Sequence, residues 1–394
     1  MLRFKNGISL HCVLASVYFL MLPLTIAVNS AGASFLKIAT VPIGLYFAIS
    51  LLFYKQEFQI NLVHIALVVF TLSTVVTLFM ANDRVSVMTV MGYFLNAALY
   101  ISMSVVPYNE KELKVFEYVQ VALLVIIIVA TLADDALGIA DRETLTVFGQ
   151  VSDPNYFVGF LVFPLSVVLE KTIKSRWRIF YIILVAVGIY TVFLSGSRGG
   201  LLAIIITVIA FAVIYPEGIH NKVLVMIALL GGMLALWVLL SPILPEHIVE
   251  RMSVEAVVET RGTYRADIWQ SMLEEIKNSG WEVIFGRGIA VQHIMMIAGE
   301  KAAVGAHNYF IQLIYNQGII GFVLFLFLVI TIIAKCIKKR KNVVVALIGM
   351  LILVMSLSVN PSIKTLWNII PYAAFAIADG GNKEFEGGAL ENES

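Results

Sequence analysis

Residues 307–333 read HNYFIQLIYNQGIIGFVLFLFLVITII and contain no Asp, Glu, Lys or Arg. A helix needs about 20 apolar residues to cross a bilayer, so this stretch predicts a transmembrane helix with His307 at its start. The whole chain has the same character: 60% of its 394 residues are hydrophobic, 13% are charged, and the mean hydropathy is +0.92. A soluble domain carries about 25% charged residues. The composition therefore predicts an integral membrane protein.

The same length rule finds eleven further apolar stretches, so we predict about twelve spans in all. Unpaired backbone groups are costly in lipid, and the predicted fold class is therefore an all-α, polytopic membrane helical bundle. We expect the first stretch to remain as an uncleaved span, although Ala31-Gly32-Ala33 resembles a signal-peptidase site. The predicted spans lie near residues 8–28, 33–54, 60–80, 85–106, 115–133, 155–170, 178–195, 199–215, 222–240, 307–333, 343–360 and 363–379.

The charged loops predict the orientation of the bundle. Loops 171–178 and 335–342 contain four and five basic residues and no acidic residue, whereas 134–154 contains five acidic residues and one arginine. Basic loops stay on the cytoplasmic side, so we expect both termini to be cytoplasmic. Residues 1–379 are predicted to form a single transmembrane domain, and the Gly- and Glu-rich segment 380–394 a disordered cytoplasmic tail.

One connection, at about residues 241–306 between spans 9 and 10, is long and is predicted to be extracytoplasmic. We interpret it as two short helices. In the second helix five apolar residues recur at helical spacing and predict an amphipathic helix at the membrane surface or on top of the bundle: Ile268, Trp269, Met272, Leu273 and Ile276. Residues 285–288, Phe-Gly-Arg-Gly, predict a flexible turn after it.

Three residues beside these apolar stretches could carry chemistry. Arg198 lies in a Ser-Gly-Ser-Arg-Gly-Gly turn that is suited to an anion, or it is a charge that reaches the membrane interface from a helix end. Arg265 shares a helix face with Trp269, so it could point toward lipid-borne phosphate, or it could be a solvated loop residue. His307 could be a general base near neutral pH or a helix-start residue.

Several classes of site find no support in the sequence. A net charge of +1 without a basic arm predicts no nucleic-acid partner. The two cysteines, Cys12 and Cys336, form no disulfide framework or metal motif. Paired carboxylates with metal-ligand spacing are scarce, so we predict no metal and no cofactor. Any diphosphate bound here would then be neutralised by arginines.

These segments together resemble the O-antigen ligase and O-antigen polymerase superfamily of bacterial envelope glycosyltransferases. The resemblance rests on residues 197–200 (SRGG), the R-x-x-x-W pattern of 265–269, residues 285–288 (FGRG), the His-Asn pair at 307–308 and residues 318–321 (GIIG). Asp153-Pro154-Asn155 is similar to a further element of the family. The resemblance covers roughly residues 150–330.

The resemblance implies metal-independent, inverting glycosyl transfer outside the cytoplasmic (inner) membrane, with a glycan on undecaprenyl pyrophosphate as donor. It implies that Arg198 and Arg265 bind the pyrophosphate, with Arg287 as a helper, and that His307 acts as base on the acceptor hydroxyl. We expect Asn308 and Trp269 to complete the substrate site. The roles of Asp153 and Asn155 stay open.

Three functions remain possible at this point. We favour a polymerase that transfers the lipid-linked glycan to the acceptor sugar of another lipid-linked unit. The alternative is a ligase that transfers the glycan to lipid A core. A transporter or flippase of the same topology is a third interpretation, but the spans carry little charge at mid-depth. Whether a chain-length regulator is a further partner, beside the glycan acceptor and membrane lipid, stays open.

Overall fold

The computed structural model describes residues 4, 7–26, 35–53, 60–77, 87–136, 144, 146–148, 150–253, 265–288, 293–297, 300–357 and 373–374. Three predictions fall outside this part of the chain: the signal-peptidase-like site at 31–33, most of the span at 363–379, and the tail at 380–394. Both cysteines lie inside it and are buried, and no disulfide joins them.

The described part of the chain is mainly helical and contains two short β-hairpins. The first hairpin pairs β1 (Thr146–Val147) with β2 (Gln150–Val151). The helices outside the long connection are α1 (Leu10–Met21, followed by a 3-10 turn over Leu22–Thr25), α2 (Phe35–Phe53), α3 (Leu62–Val76), α4 (Val87–Ser104), α5 (Glu110–Ala136), α6 (Pro154–Lys174), α7 (Arg178–Leu194), α8 (Arg198–Ile214), α9 (Ile219–Leu240), α13 (Tyr309–Cys336) and α14 (Lys341–Leu353).

These helices coincide with the first eleven predicted spans. By length and composition, four described helices, α5, α6, α9 and α13, could cross a membrane, and seven shorter described helices are also apolar. An all-α membrane bundle is therefore supported. The number of twelve spans and the sidedness of the loops remain predictions.

Side-chain caps explain where three helices of the bundle begin. Asp153 caps α6, Ser197 caps α8 and Asn308 caps α13, with side-chain oxygens that accept backbone N–H groups at 2.8, 2.9 and 3.0 Å, respectively. Such caps satisfy N–H groups that have no partner within the helix. Pro154, at the first position of α6, has no N–H to satisfy. All three caps lie at helix starts that bear predicted site residues.

Helices α6, α8 and α14 pack together as the centre of the bundle. Residues 157–169 of α6 are all buried. Gly349 of α14 lies against Thr207 of α8 and Val162 of α6, and a Cβ at Gly349 would overlap the hydroxyl of Thr207. Because packed interiors leave little free volume, this glycine sets the close approach of α14 to α8.

The long connection is more structured than the two helices that we predicted. It contains α10 (Glu246–Met252), α11 (Arg265–Lys277), α12 (Glu282–Phe285) and a hairpin of β3 (His293–Ile297) with β4 (Glu300–Val304). Of the predicted apolar face of α11, Ile268, Met272 and Ile276 are buried against the hairpin and α13. Leu273 is 48% exposed, so its predicted place on the buried face is wrong. The hairpin itself was not predicted.

Helix α13 is broken at Gly318, whose φ of 67° and ψ of −174° are not helical. This backbone region is almost restricted to glycine. A Cβ on Gly318 would overlap the backbone of Ile284 in α12, so the break lets α12 approach the helix axis. Gly318 thus allows the long connection to pack closely against α13.

The turn at 285–288 fills this break and is not the flexible segment that we predicted. The backbone N–H of Arg287 donates to the Tyr315 carbonyl at 3.1 Å, and that of Gly288 donates to the Asn316 carbonyl at 2.9 Å. The Asn316 side chain donates back to the Gly288 carbonyl at 2.6 Å. These bonds replace those that the helix loses at its break, so the turn is fixed to α13.

Candidate functional site

His307 lies between the β3–β4 hairpin and the start of α13. Its φ of 47° is in the left-handed region, which costs a non-glycine residue energy and often marks a functional position. Its Nδ1 atom is buried and has no hydrogen-bond partner among the described residues. Burial, together with the charge of Arg265, lowers the pKa of His307, while Asp153 opposes this shift. The ring is therefore neutral near pH 7.

The residue before His307 is held from two sides. The Ala306 carbonyl accepts a 2.6 Å hydrogen bond from Trp269 Nε1, and its N–H donates to Gln312 Oε1 at 2.8 Å. Ala306 is fully buried. Trp269 thereby connects α11 to the backbone that positions His307.

Arg198, at the first position of α8, is fixed by a reciprocal arrangement with Arg251 of α10. Arg198 Nε donates to the Arg251 carbonyl at 2.7 Å, and Arg251 Nε donates to the Gly196 carbonyl at 3.2 Å. Each guanidinium donates from its Nε to backbone, and its Nη atoms make no hydrogen bond to another described residue.

The glycines of the Ser-Arg-Gly-Gly turn serve helix packing. A Cβ on Gly199 would overlap Ser356, and one on Gly200 would overlap Val158. The Ser197 hydroxyl accepts from the Gly200 N–H and donates to Asn155 Oδ1 at 2.6 Å. Packing thus accounts for Gly199 and Gly200, and the predicted binding of an anion by this turn stays one of two alternatives. Asn155 anchors the turn to the start of α6.

Arg265, the first residue of α11, is the point at which these groups meet. Burial lowers the pKa of Arg265; the Asp153 carboxylate opposes this shift, and the charges of Arg251 and Arg198 add to it. These charges act on Arg265 because they lie near it. Arg198, Arg265 and His307 therefore lie near one another, together with Asp153 and Arg251, and their predicted roles stay predictions. We call these five residues the cationic cluster.

Arg287 does not join the cationic cluster. Its guanidinium pairs with Glu275 and with Glu282, and it stacks over the Tyr315 ring at 5.1 Å from the ring centroid. These contacts neutralise its charge within the long connection. The predicted role of Arg287 as a pyrophosphate helper is therefore not supported by its position, and its side chain fixes the turn at 285–288.

His293 has partners that the sequence did not reveal. Its ring donates from Nδ1 to Glu275 Oε2 at 2.7 Å and accepts at Nε2 from the Ser271 hydroxyl at 3.0 Å. Burial, with the Arg287 charge, lowers the pKa of His293 and keeps the ring neutral. This chain of hydrogen bonds, from serine to histidine to carboxylate, resembles that of a hydrolase triad. However, Ser271 is in the middle of α11, where the helix uses the N–H groups that an oxyanion would need, so this network joins the hairpin to α11.

Asn308 caps α13 through its side-chain oxygen, which accepts from the N–H groups of Phe310 and Ile311 at 3.0 and 3.4 Å. The structure therefore gives this residue a role at the helix start, directly after His307. The cap uses the side-chain oxygen of Asn308, so the predicted contact with substrate can involve only its side-chain NH2 group.

An apolar groove of about 340 Å³ begins beside the cationic cluster. Leu201 and Ile205 line it one and two turns below Arg198, Trp237 contributes from α9, and Met252 directly follows Arg251. The groove therefore places apolar surface next to uncompensated positive charge. Within the described ranges, no three His, Cys, Asp or Glu side chains lie close enough to hold a metal ion.

These features define a helical integral membrane protein with a cationic site at one end of its bundle. Residues 182–326 match the model of a family described as O-antigen ligase, which confirms the resemblance to the O-antigen ligase and polymerase superfamily. The matched range includes Arg198, Arg265 and His307. No curated protein matches the chain. The family match favours an enzyme of lipid-linked glycans over a transporter.

Proposed function

We propose that this protein is a glycosyltransferase that polymerises polysaccharide repeat units on the outer face of the bacterial cytoplasmic membrane. It transfers an undecaprenyl-pyrophosphate-linked glycan to the acceptor sugar of another lipid-linked unit. The observation that carries the proposal is the proximity of Arg198 and Arg265 to a neutral His307 whose Nδ1 has no hydrogen-bond partner in the described part of the chain. The family match supports the same class of reaction.

In this proposal Arg198 and Arg265 bind the diphosphate of the donor. Guanidinium groups form paired, charge-assisted hydrogen bonds to phosphate oxygens. When the glycosidic bond breaks, negative charge develops on the diphosphate. Fixed guanidinium groups in a partly buried site stabilise that charge without having to reorganise. Arginines could thus supply the stabilisation that a metal supplies in other transferases.

His307 acts as the general base. The acceptor hydroxyl oxygen attacks the anomeric carbon from the face opposite the diphosphate, and the bond from that carbon to the diphosphate oxygen breaks. The electron pair leaves with the diphosphate, the proton of the hydroxyl goes to His307, and the configuration inverts. Because burial and Arg265 lower its pKa, His307 is unprotonated at neutral pH and ready to accept this proton.

The apolar groove beside Arg198 provides a surface for the polyprenyl chain of the donor. Its lining by Leu201, Ile205 and Trp237 would hold the first isoprene units while the diphosphate lies at the cationic cluster. Burial of apolar surface contributes about 25 cal/mol per Å². The groove and the cluster together match the two chemical halves of a lipid diphosphate.

Substitution of the cluster tests the enzyme. Purified full-length protein in nanodiscs is given lipid-linked repeat unit, and product length is measured. His307→Ala is expected to lower the rate by about 10²–10⁴-fold, because a positioned base contributes about that much. Arg198→Lys should also be slower, since lysine cannot bind two oxygens side by side. Arg176→Lys, an exposed arginine of the 171–178 loop, is the control. Wild-type products from both site variants would refute the proposed site.

The same assay separates polymerase from ligase. A polymerase extends chains when the lipid-linked repeat unit is the only substrate. The family description names an O-antigen ligase, so lipid A core is the competing acceptor to supply. If no chain grows until lipid A core is added, the protein is a ligase and the polymerase proposal is wrong.

A further inference from the structure

Arg251 belongs to none of the sequence motifs, yet its hydrogen bonds hold Arg198 and the turn before it in place. It lies in the last turn of α10, its carbonyl holds Arg198 Nε, and its own Nε holds the Gly196 carbonyl. Among the described residues, the guanidinium groups of Arg198 and Arg251 make no hydrogen bond through their Nη atoms and pair with no acid. The two side chains are thus held in place while their donors remain unused.

Counted over the residues that the structure describes, the charges of the cluster do not balance. Arg198, Arg251 and Arg265 contribute three positive charges, and Asp153 contributes one negative charge. Among the neighbouring cations, Arg251 lowers the pKa of Arg265 more than Arg198 does. Arg251 also lowers the pKa of Arg198. Like charges at close range destabilise a protein, so such a cluster fits an anionic ligand of more than one charge.

Resting on the proposed function, we propose that Arg251 is a third binding residue for the diphosphate and makes the site selective for a lipid diphosphate over a lipid monophosphate. A lipid–sugar diphosphate carries two negative charges, which the net positive charge of the cluster matches. A lipid monophosphate presents three terminal oxygens on one phosphorus atom, whereas a lipid–sugar diphosphate spreads four terminal oxygens over two phosphorus atoms. Three guanidinium groups held at separate points therefore fit the diphosphate better. Met252, the neighbour of Arg251, lines the apolar groove, so the residue lies where the lipid and its diphosphate meet.

The test measures binding of undecaprenyl diphosphate and of undecaprenyl monophosphate to the full-length protein in nanodiscs. Arg251→Met keeps the length of the side chain and removes its charge. It is expected to weaken diphosphate binding about tenfold or more, because hydrogen bonds to charged groups contribute about 1.5–3 kcal/mol. Monophosphate binding should change less than about threefold, and the control Arg176→Met should change neither.

Equal loss for both lipids, or no loss for either, would overturn the inference. If Arg251→Met does not fold, Arg251→Lys decides, because it keeps the charge but not the planar pair of donors. It should reduce the preference for diphosphate, and an unchanged preference refutes the proposal. Arg198→Met and Arg265→Met distinguish the two proposals. If they abolish diphosphate binding while Arg251→Met does not, only this inference fails; if none of the three has an effect, the proposed function fails too.

Discussion

Replacement of Gly286 by alanine tests the docking of the 285–288 turn into the break of α13. Gly286 has a φ of 83°, and a Cβ there would overlap the backbone at Asn316 and Gln317. Gly218 is the matched control, because its φ of 78° is similar but nothing lies within 4 Å of an added Cβ. Both substitutions pay about 1–3 kcal/mol for the backbone conformation.

Only Gly286→Ala must also separate the turn from the helix. Separation breaks the three hydrogen bonds that join Arg287, Gly288 and Asn316 across the break. At about 0.5–1.5 kcal/mol each, their loss adds about 1.5–4.5 kcal/mol. The free energy of unfolding in mixed micelles should therefore fall by that much more for Gly286→Ala than for Gly218→Ala.

Equal destabilisation by the two substitutions would refute this reasoning, because it would mean that the turn is not held in the break. A second measurement, transferase activity at a temperature where both variants are folded, shows whether docking also positions the site. We expect Gly218→Ala to keep wild-type activity and Gly286→Ala to lose part of it.

Three further predictions concern the site. The pH dependence of kcat/KM should show an acidic limb below the ordinary pKa of histidine, because His307 must be neutral and its pKa is lowered. Activity should rise with pH through that limb. Arg265→Met removes a charge that lowers the pKa of His307, so it should move the limb to higher pH. A limb that Arg265→Met leaves in place would contradict the coupling. Trp269→Phe removes the bond to the Ala306 carbonyl and leaves that carbonyl unsatisfied, so kcat should fall about tenfold or more at unchanged fold; an unaltered kcat would mean that Trp269 does not position His307. EDTA should leave activity intact, and rescue of a chelated sample by magnesium would refute the metal-independent mechanism.

Much of the bundle could be predicted because hydropathy and charge act locally along the chain. Apolar runs bounded by polar residues form the helices α1 to α9, α13 and α14, and the three buried positions of α11 followed from their spacing. Arg198, Arg265 and His307 were found because each belongs to a short motif. The motifs led us to expect that these three residues lie close together. That proximity depends on the fold, because they are far apart in the sequence.

The parts that were missed depend on bonds between distant segments. Gly318 lies in an apolar run, where hydropathy indicates a continuous helix; the break is stabilised by a turn about 30 residues earlier in the chain. Arg251 follows Glu250 in an ordinary helical turn and has no glycine or aromatic neighbour that would single it out. Glu275 follows Ser271 by one helical turn, which the sequence shows. Its pairing with Arg287 and His293 depends on where the hairpin lies, which the sequence does not show.

The excess positive charge of the cationic cluster also bears on how long the protein survives in the cell. Without a ligand, the cations repel one another; the proposed lipid diphosphate donor would act as their counter-ion. A ligand at one hundred times its dissociation constant stabilises the folded state by about 2.7 kcal/mol. The supply of lipid-linked glycan should then govern the turnover of the protein, and cells that stop making the donor should degrade it faster.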